Sequence, residues 1–241
     1  MEPWTTIERA AVPGSDTELS LLRREDDFAI RISTVPGDLM NSRMHHSEDA
    51  LAELACSRLG ATENACILIG GLGMGFTLAA ALKAVPGSAE VVVAELVPAV
   101  VEWNRGQLGQ CAGRPLEDDR TRVHLGDVAD LLKHREKGFD AILLDVDNGP
   151  EAMTSADNEW LYSSAGLKTI YQKLRPDGIV SIWSARADRQ FARRLEKTGF
   201  DVQLRTVRAR PGKGSRHTIF VAQKSLPSSL RHTPSGPAST R

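Results

Sequence analysis

The residues able to do chemistry in this chain are a glycine run and a set of acids that recur at regular intervals after it. Gly70, Gly71, Gly73 and Gly75 follow the apolar run Cys66–Ile69 and precede a helical pattern from Thr77 to Val85. Glycine there lets the backbone turn sharply and lets a ligand approach the main chain, while the helix behind it presents unpaired N–H groups. The next apolar run, Ala89–Glu95, ends in an acid. A carboxylate in that place can accept both hydroxyl protons of a ribose diol; the alternative for Glu95 is a solvated strand-end charge. Gly126-Asp127 closes a third run and Asp145-Val146-Asp147 a fourth. Two close carboxyl groups raise one another's proton affinity, and such a group can take the proton of an attacking amine or hydroxyl. Asp145 is therefore expected to orient or deprotonate an acceptor, with Asp147 assisting. Its competing role is to cap local backbone N–H groups.

Further polar groups flank these. Leu39 to Ser47 is a polar stretch leading into a helix, and His45 and His46 within it are candidates for substrate contact or proton transfer. Solvated linker histidines are the alternative. Asn148 and Tyr162 are further candidates for the acceptor side, with Trp160 beside them, whereas Trp183, on a strand, reads as packing. Arg43 can pair with an acidic group or remain solvated. Leu96 and Val128 neighbour the acids Glu95 and Asp127 and are expected to touch the same ligand.

The elements that must position these residues are legible from periodicity. Short apolar runs read as buried parallel strands: Cys66–Ile69, Ala89–Glu95, Thr121–Leu125, Gly138–Asp147 and Ile179–Ser184. Helical patterns lie at Glu48–Leu59, Thr77–Val85, Ala99–Gln107, after Asp127 to about His134, Asn158–Leu174 and Asp188–Thr198. Phe200–Val207 and His217–Gln223 are two final strands, joined by Arg208–Arg216, which reads as a basic hairpin loop. This order predicts an α/β, Rossmann-like, seven-stranded and mostly parallel sheet with helices on both faces. Ahead of it, Glu18–Arg23 and Phe28–Ser33 predict a small N-terminal β-hairpin extension, and residues 1–17 show little pattern. The expected division is an extension over 1–47, a cofactor-binding catalytic domain over 48–224, and a Ser- and Pro-rich disordered tail over 225–241. In such a sheet, ligands bind beyond the carboxyl ends of the strands, where the glycine loop, Glu95, Asp127 and Asp145 would all meet.

Composition excludes little but points one way. The 241 residues are 41% hydrophobic and 25% charged, with a net charge of −1. That balance gives no argument for nucleic acid or a membrane surface as partner. No apolar run is long enough for a bilayer, and the N-terminus lacks the regions of a signal peptide. Cys56, Cys66 and Cys111 are widely spaced, so neither structural zinc nor any other metal is expected, and free thiols fit a reducing cytoplasm.

These residues together resemble a class I S-adenosylmethionine-dependent methyltransferase fold and, more narrowly, the spermidine synthase-like family. Gly70–Gly75 resembles the family's first motif, Glu95 its ribose-binding acid, and Gly126-Asp127 the motif whose acid accepts from the adenine amino group. Asp145–Pro150 resembles the acidic motif after strand four. Leu161-Tyr162 with Leu174–Gly178 resembles the helix and turn before strand five. The resemblance spans roughly residues 18–223 and implies S-adenosylmethionine or its decarboxylated form as donor, a small-molecule acceptor and a homodimer. The chain also departs from the family pattern. Aminopropyltransferases carry an acid inside the glycine loop, where Gly73 stands here. They carry Asp-x-x-Asp-Pro after strand four, where this chain has Asp145-Val146-Asp147-Asn148, and a tyrosine near Met44–Glu48. An amine-bearing donor would want a nearby carboxylate. The leading expectation is accordingly a methyltransferase acting on a small molecule. Polyamine aminopropyl transfer is the alternative, and a non-catalytic nucleoside-binding protein a further one. A nicotinamide-binding protein fits the terminal strand pair and Gly126-Asp127 poorly.

Overall fold

A computed structural model describes residues 2–136, 138–146 and 156–225, the side chains of 156–158 excepted. Four strands come first: β1 (Thr5–Ala11), β2 (Glu18–Arg24), β3 (Asp27–Ile32) and β4 (Met40–Asn41), an antiparallel sheet in that order. The sequence predicts only its central hairpin. β1 was not legible because six of its seven residues are exposed, so no apolar alternation marks it. The hairpin itself is clear because Leu21, Phe28 and Ile30 are buried against the main domain's core.

The main sheet follows: α1 (His46–Leu59), β5 (Cys66–Gly70), α2 (Phe76–Ala84), β6 (Glu90–Glu95), α3 (Pro98–Arg105), β7 (Thr121–Leu125), α4 (Val128–His134), β8 (Phe139–Leu144), α5 (Ala156–Tyr162), α6 (Ser164–Lys173), β9 (Leu174–Ser184), α7 (Arg189–Thr198), β10 (Phe200–Arg210) and β11 (Lys213–Lys224). Two short 3₁₀ turns, Leu108–Ala112 and Pro115–Glu117, join α3 to β7. The strand order is β10-β11-β9-β8-β5-β6-β7, parallel except where β11 pairs with β9 and β10. Both faces are covered, and the strands alternate between them. In β5, Ile67 and Ile69 enter one core and Leu68 the other. α1 and α2 cover the first face, and α1 lies across β8, β9, β10 and β11. Among the described residues no helix is long and apolar enough to cross a membrane, and no cluster of His, Cys, Asp and Glu could hold a metal ion.

Three elements differ from the periodicity reading. The single helix expected over Asn158–Leu174 is two. Ser163 has extended backbone, its hydroxyl accepts from the Gly166 N–H at 3.1 Å, and it caps α6. The loop expected over Arg208–Arg216 is instead a continuation of the strand pair, with Arg208 opposite Arg216 and Arg210 opposite Lys213. Charged, exposed residues conceal that ladder from a hydrophobic pattern. The turn expected at Arg175–Gly178 falls inside β9, where Asp177 takes a positive φ of 60°. Asp147 and Asn148, and the tail expected beyond Ser225, lie outside the described residues.

Candidate active site

The glycine loop is stitched to three strands. The Gly71 N–H donates to the Ala94 carbonyl and the Asp145 N–H to the Gly70 carbonyl, each at 2.9 Å. Gly71 must be glycine on two counts: its φ is +88°, and an added Cβ would run into the Asp145 carbonyl. Gly73, at φ +52°, faces the side chain of Met40, whose sulfur would lie 3.1 Å from an added Cβ. Gly75 stands at the start of α2, backed by Asn104 and Pro115.

On one side of this loop the polar groups are held by backbone. Glu95 is 8% exposed. Its two oxygens accept from the N–H groups of Leu72 and Val97, both at 2.9 Å. Burial pushes its carboxyl up, and the N–H groups of Val97, Leu72, Gly73 and Leu96 oppose that. Asp127 caps α4 by accepting from the Ala129 N–H at 2.7 Å, and Val128 beside it is buried. Leu96 is 42% exposed, turned outward next to buried Glu95. The Asn104 amide donates to the carbonyls of Gly73 and Val100, both at 2.9 Å, bracing the loop from α3.

The other side gathers charge. Asp145, one residue past β8, accepts from the Thr77 hydroxyl at 3.0 Å. Glu48, in the first turn of α1, is close enough for Asp145 to act on it. Its carboxyl accepts from the Ser47 hydroxyl at 2.5 Å. Burial first, and then the Asp145 charge, pushes Glu48 up to about 7; burial pushes Asp145 up to about 6 against the Thr77 hydrogen bond. These two carboxyl groups release their protons close to neutrality. One turn away, His45 Nδ1 lies 2.8 Å from Asp49 Oδ2, and its ring stacks on Phe76, centroids 4.1 Å apart. His46 begins α1 and is half-buried.

The fold thus brings the glycine loop, Glu95, Asp127, Asp145 and His45 to one end of the sheet. Tyr162, expected to contact the acceptor, is instead 1% exposed inside the second core, its ring edge-on to Phe191. Its place on the inward stripe of α5, next to the equally buried Leu161, accounts for that. Sequence reasoning missed Glu48, which reads as an ordinary first-turn acid, and also Thr77, Met40 and Asn104. Only the adjacency of α1 to β8 would have singled out Glu48.

A family model described as spermine/spermidine synthase domain matches residues 44–199. The chain belongs to the spermine/spermidine synthase domain family. Among solved structures, a spermidine synthase in complex with the transition-state analogue AdoDATO is similar at 18% identity and a TM-score of 0.70, over 92% of this chain and 73% of that one. The spermidine synthase from Thermotoga maritima is similar at 18% identity and a TM-score of 0.70, over 92% of this chain and 74% of that one. Both likenesses concern the fold, an α/β seven-stranded sheet preceded by an antiparallel one. No curated protein sequence matches. The family match overturns the expectation of a small-molecule methyltransferase and turns the reading to the polyamine transferases. That expectation rested on the missing loop acid at Gly73, the shortened acidic motif at Asp145–Asn148 and the missing tyrosine near Met44–Glu48. The structure shows carboxyl groups arriving from elsewhere, Glu48 from α1 and Asp145 from the end of β8.

Proposed function

We propose that this chain is a polyamine-type aminopropyltransferase, which moves the aminopropyl group of decarboxylated S-adenosylmethionine onto a small-molecule amine. The observation that carries this reading is the pair Glu48 and Asp145, two half-buried carboxyl groups set together beside the glycine loop of a spermine/spermidine synthase domain. A cationic amine is the natural guest of such a pair, since it supplies the counter-charge that burial, and for Glu48 also the Asp145 charge, make these carboxylates lack.

The donor site fits an adenosine. Gly71 and Gly73 hold the loop in a positive-φ conformation that other residues strain to adopt. Glu95, already held by Leu72 and Val97, keeps lone pairs for ribose hydroxyls. Asp127 is assigned the adenine amino group, with Leu96 and Val128 beside the ring. The bound donor supplies an activated sulfonium leaving group. Asp145, steadied by Thr77, takes the proton that the acceptor nitrogen sheds as its new bond to carbon forms. The carbon–sulfur bond breaks with its electron pair staying on sulfur, so the nucleoside product is methylthioadenosine. Glu48 holds the donor's ammonium group next to Asp145, and His45, fixed by Asp49 and Phe76, closes the acceptor side. The same reading takes residues 48–224 as the catalytic unit with 1–47 as its extension, acting as a homodimer in the cytoplasm.

The test is to supply decarboxylated S-adenosylmethionine with a panel of amines and follow nucleosides by mass spectrometry. Methylthioadenosine that appears only with an amine is the expected result. Its absence with every amine would overturn the reading.

A further inference from the structure

The β9–β11 flank of this end of the sheet holds polar atoms with no hydrogen-bond partner. Trp183 is the next-to-last residue of β9. The pairing of Leu144 with Ile182, carried one step further, sets Asp145 beside Trp183. On the other flank Trp183 is opposite Ile219 of β11. His217, two residues before Ile219 and so on the same face, stacks on Trp183 with centroids 4.7 Å apart and planes tilted by 32°. Its Nε2 is 2.8 Å from the Ser215 hydroxyl. Trp183 Nε1 and His217 Nδ1 are both buried and have no hydrogen-bond partner, and the Ser181 hydroxyl, further along the same face of β9, has none either. Each such orphan costs stability, which a fold recovers where a ligand supplies the missing partner. Burial also pushes the His217 ring down, favouring its neutral form.

The chemistry of these atoms is selective. An indole N–H only donates, so its partner must be an acceptor. A neutral imidazole accepts or donates at Nδ1, according to which way the Ser215 hydroxyl is turned. An ammonium, which only donates, leaves Trp183 Nε1 unsatisfied. A hydroxyl or carboxylate oxygen satisfies it and can meet His217 as well. We propose that Trp183 and His217 receive the far end of the acceptor, and that they select an oxygen-bearing group there in place of a second ammonium. The acceptor is then an amino alcohol or an ω-amino acid, its amine directed to Asp145. This inference rests on the aminopropyltransfer reading for the identity of the near end only.

The experiment is calorimetric titration of the full chain, with methylthioadenosine present, by three acceptors of equal length: 1,4-diaminobutane, 4-amino-1-butanol and 4-aminobutanoate. One of the two oxygen-bearing amines should bind roughly ten-fold or more tightly than the diamine, and which one does separates hydroxyl from carboxylate. Trp183→Phe keeps an aromatic ring and removes the N–H together with the pyrrole half of the indole; it should abolish the preference between the oxygen-bearing amine and the diamine. His217→Phe, which keeps the stacking, provides a second variant should Trp183→Phe melt early. A diamine bound equally or more tightly, no binding by any of the three, or a preference untouched in both variants would overturn the inference, the last pointing to a structural water at the two nitrogens. The titration needs no turnover. Absence of methylthioadenosine formation is therefore a separate result that counts against the aminopropyltransfer reading alone.

Discussion

The two sides of the glycine loop are built on opposite principles. On the β6–β7 side, the acids are satisfied before any ligand arrives. Glu95 spends both oxygens on backbone N–H groups, and Asp127 caps a helix. Such groups are rigid, and their placement is part of folding. On the β8–β9–β11 side, Glu48 and Asp145 are set against one another, and Trp183 and His217 have unpaired nitrogens. These groups cost stability in the fold as it stands. On the proposed function, the first side holds the constant part of the donor and the second sets the reaction and its selectivity.

If that division is right, substitutions on the two sides fail differently. The largest effect belongs to Asp145→Asn. It keeps the Thr77 contact sterically and removes the base, so kcat should fall by about 10²–10⁴. Methylthioadenosine affinity by calorimetry should stay within a few-fold of wild type. Near-normal turnover would remove the base role. Glu95→Ala is next and behaves in the opposite sense. It orphans the N–H groups of Leu72 and Val97, so a loss of about 1–3 kcal/mol in denaturant titrations accompanies weaker nucleoside binding. Intact stability together with lost binding would mean that the carboxylate serves the ligand only.

The same asymmetry explains what the sequence disclosed. The β5–glycine–α2–β6 unit is contiguous, and its strands are buried on both faces, so pattern and motif agree from Cys66 to Glu95. The acceptor side is assembled from segments far apart in the chain. Glu48 matters because α1 lies across β8, and no local pattern encodes that crossing. His217 meets Trp183 because β11 inserts antiparallel between β9 and β10. Tyr162 is by type an aromatic that could wall a pocket, but its place on the inward stripe of α5 puts it in the second core. The absence of an acid at Gly73 misled because a carboxyl group can be supplied from another element, and a motif records only its own segment.

Glu48→Gln sharpens the comparison through pH. In the folded protein Glu48 titrates at about 7 and Asp145 at about 6, both above ordinary carboxyl values. A raised folded value means that the native state holds its proton more tightly than the unfolded chain. The stability from this source is full below about pH 4 and is lost as pH rises through 6 to 7. Glu48→Gln should therefore be more stable than wild type at pH 8, by about 1–2 kcal/mol after allowing for partial exposure, and nearly equal to it at pH 4. Because Glu48 and Asp145 are coupled, the acidic limb of kcat/KM should move to lower pH in the variant. Urea titrations at the two pH values and a pH–rate profile check both statements. A variant destabilised at pH 8 would show that Glu48 is structural.

The smallest effect is expected where the two sides touch, at Gly73 under Met40. Gly73→Ala places a Cβ at φ +52° and 3.1 Å from the Met40 sulfur. The backbone contribution is about 1 kcal/mol. The steric contribution is smaller, because a methionine side chain re-orients easily. Met40→Ala in the same background should relieve the contact and leave the backbone strain, so the coupling in a double-mutant cycle should be only about 0.5 kcal/mol. Thermal melts of the four proteins measure it. Gly73→Asp should carry the same strain and add a carboxylate where the amine-binding role has already passed to Glu48 and Asp145. Its donor affinity should therefore not exceed that of wild type. A gain of ten-fold or more would show that the loop, and not the α1–β8 pair, is the natural seat of the donor's amine. The division between a satisfied side and a waiting one would then have to be drawn through the glycine loop itself.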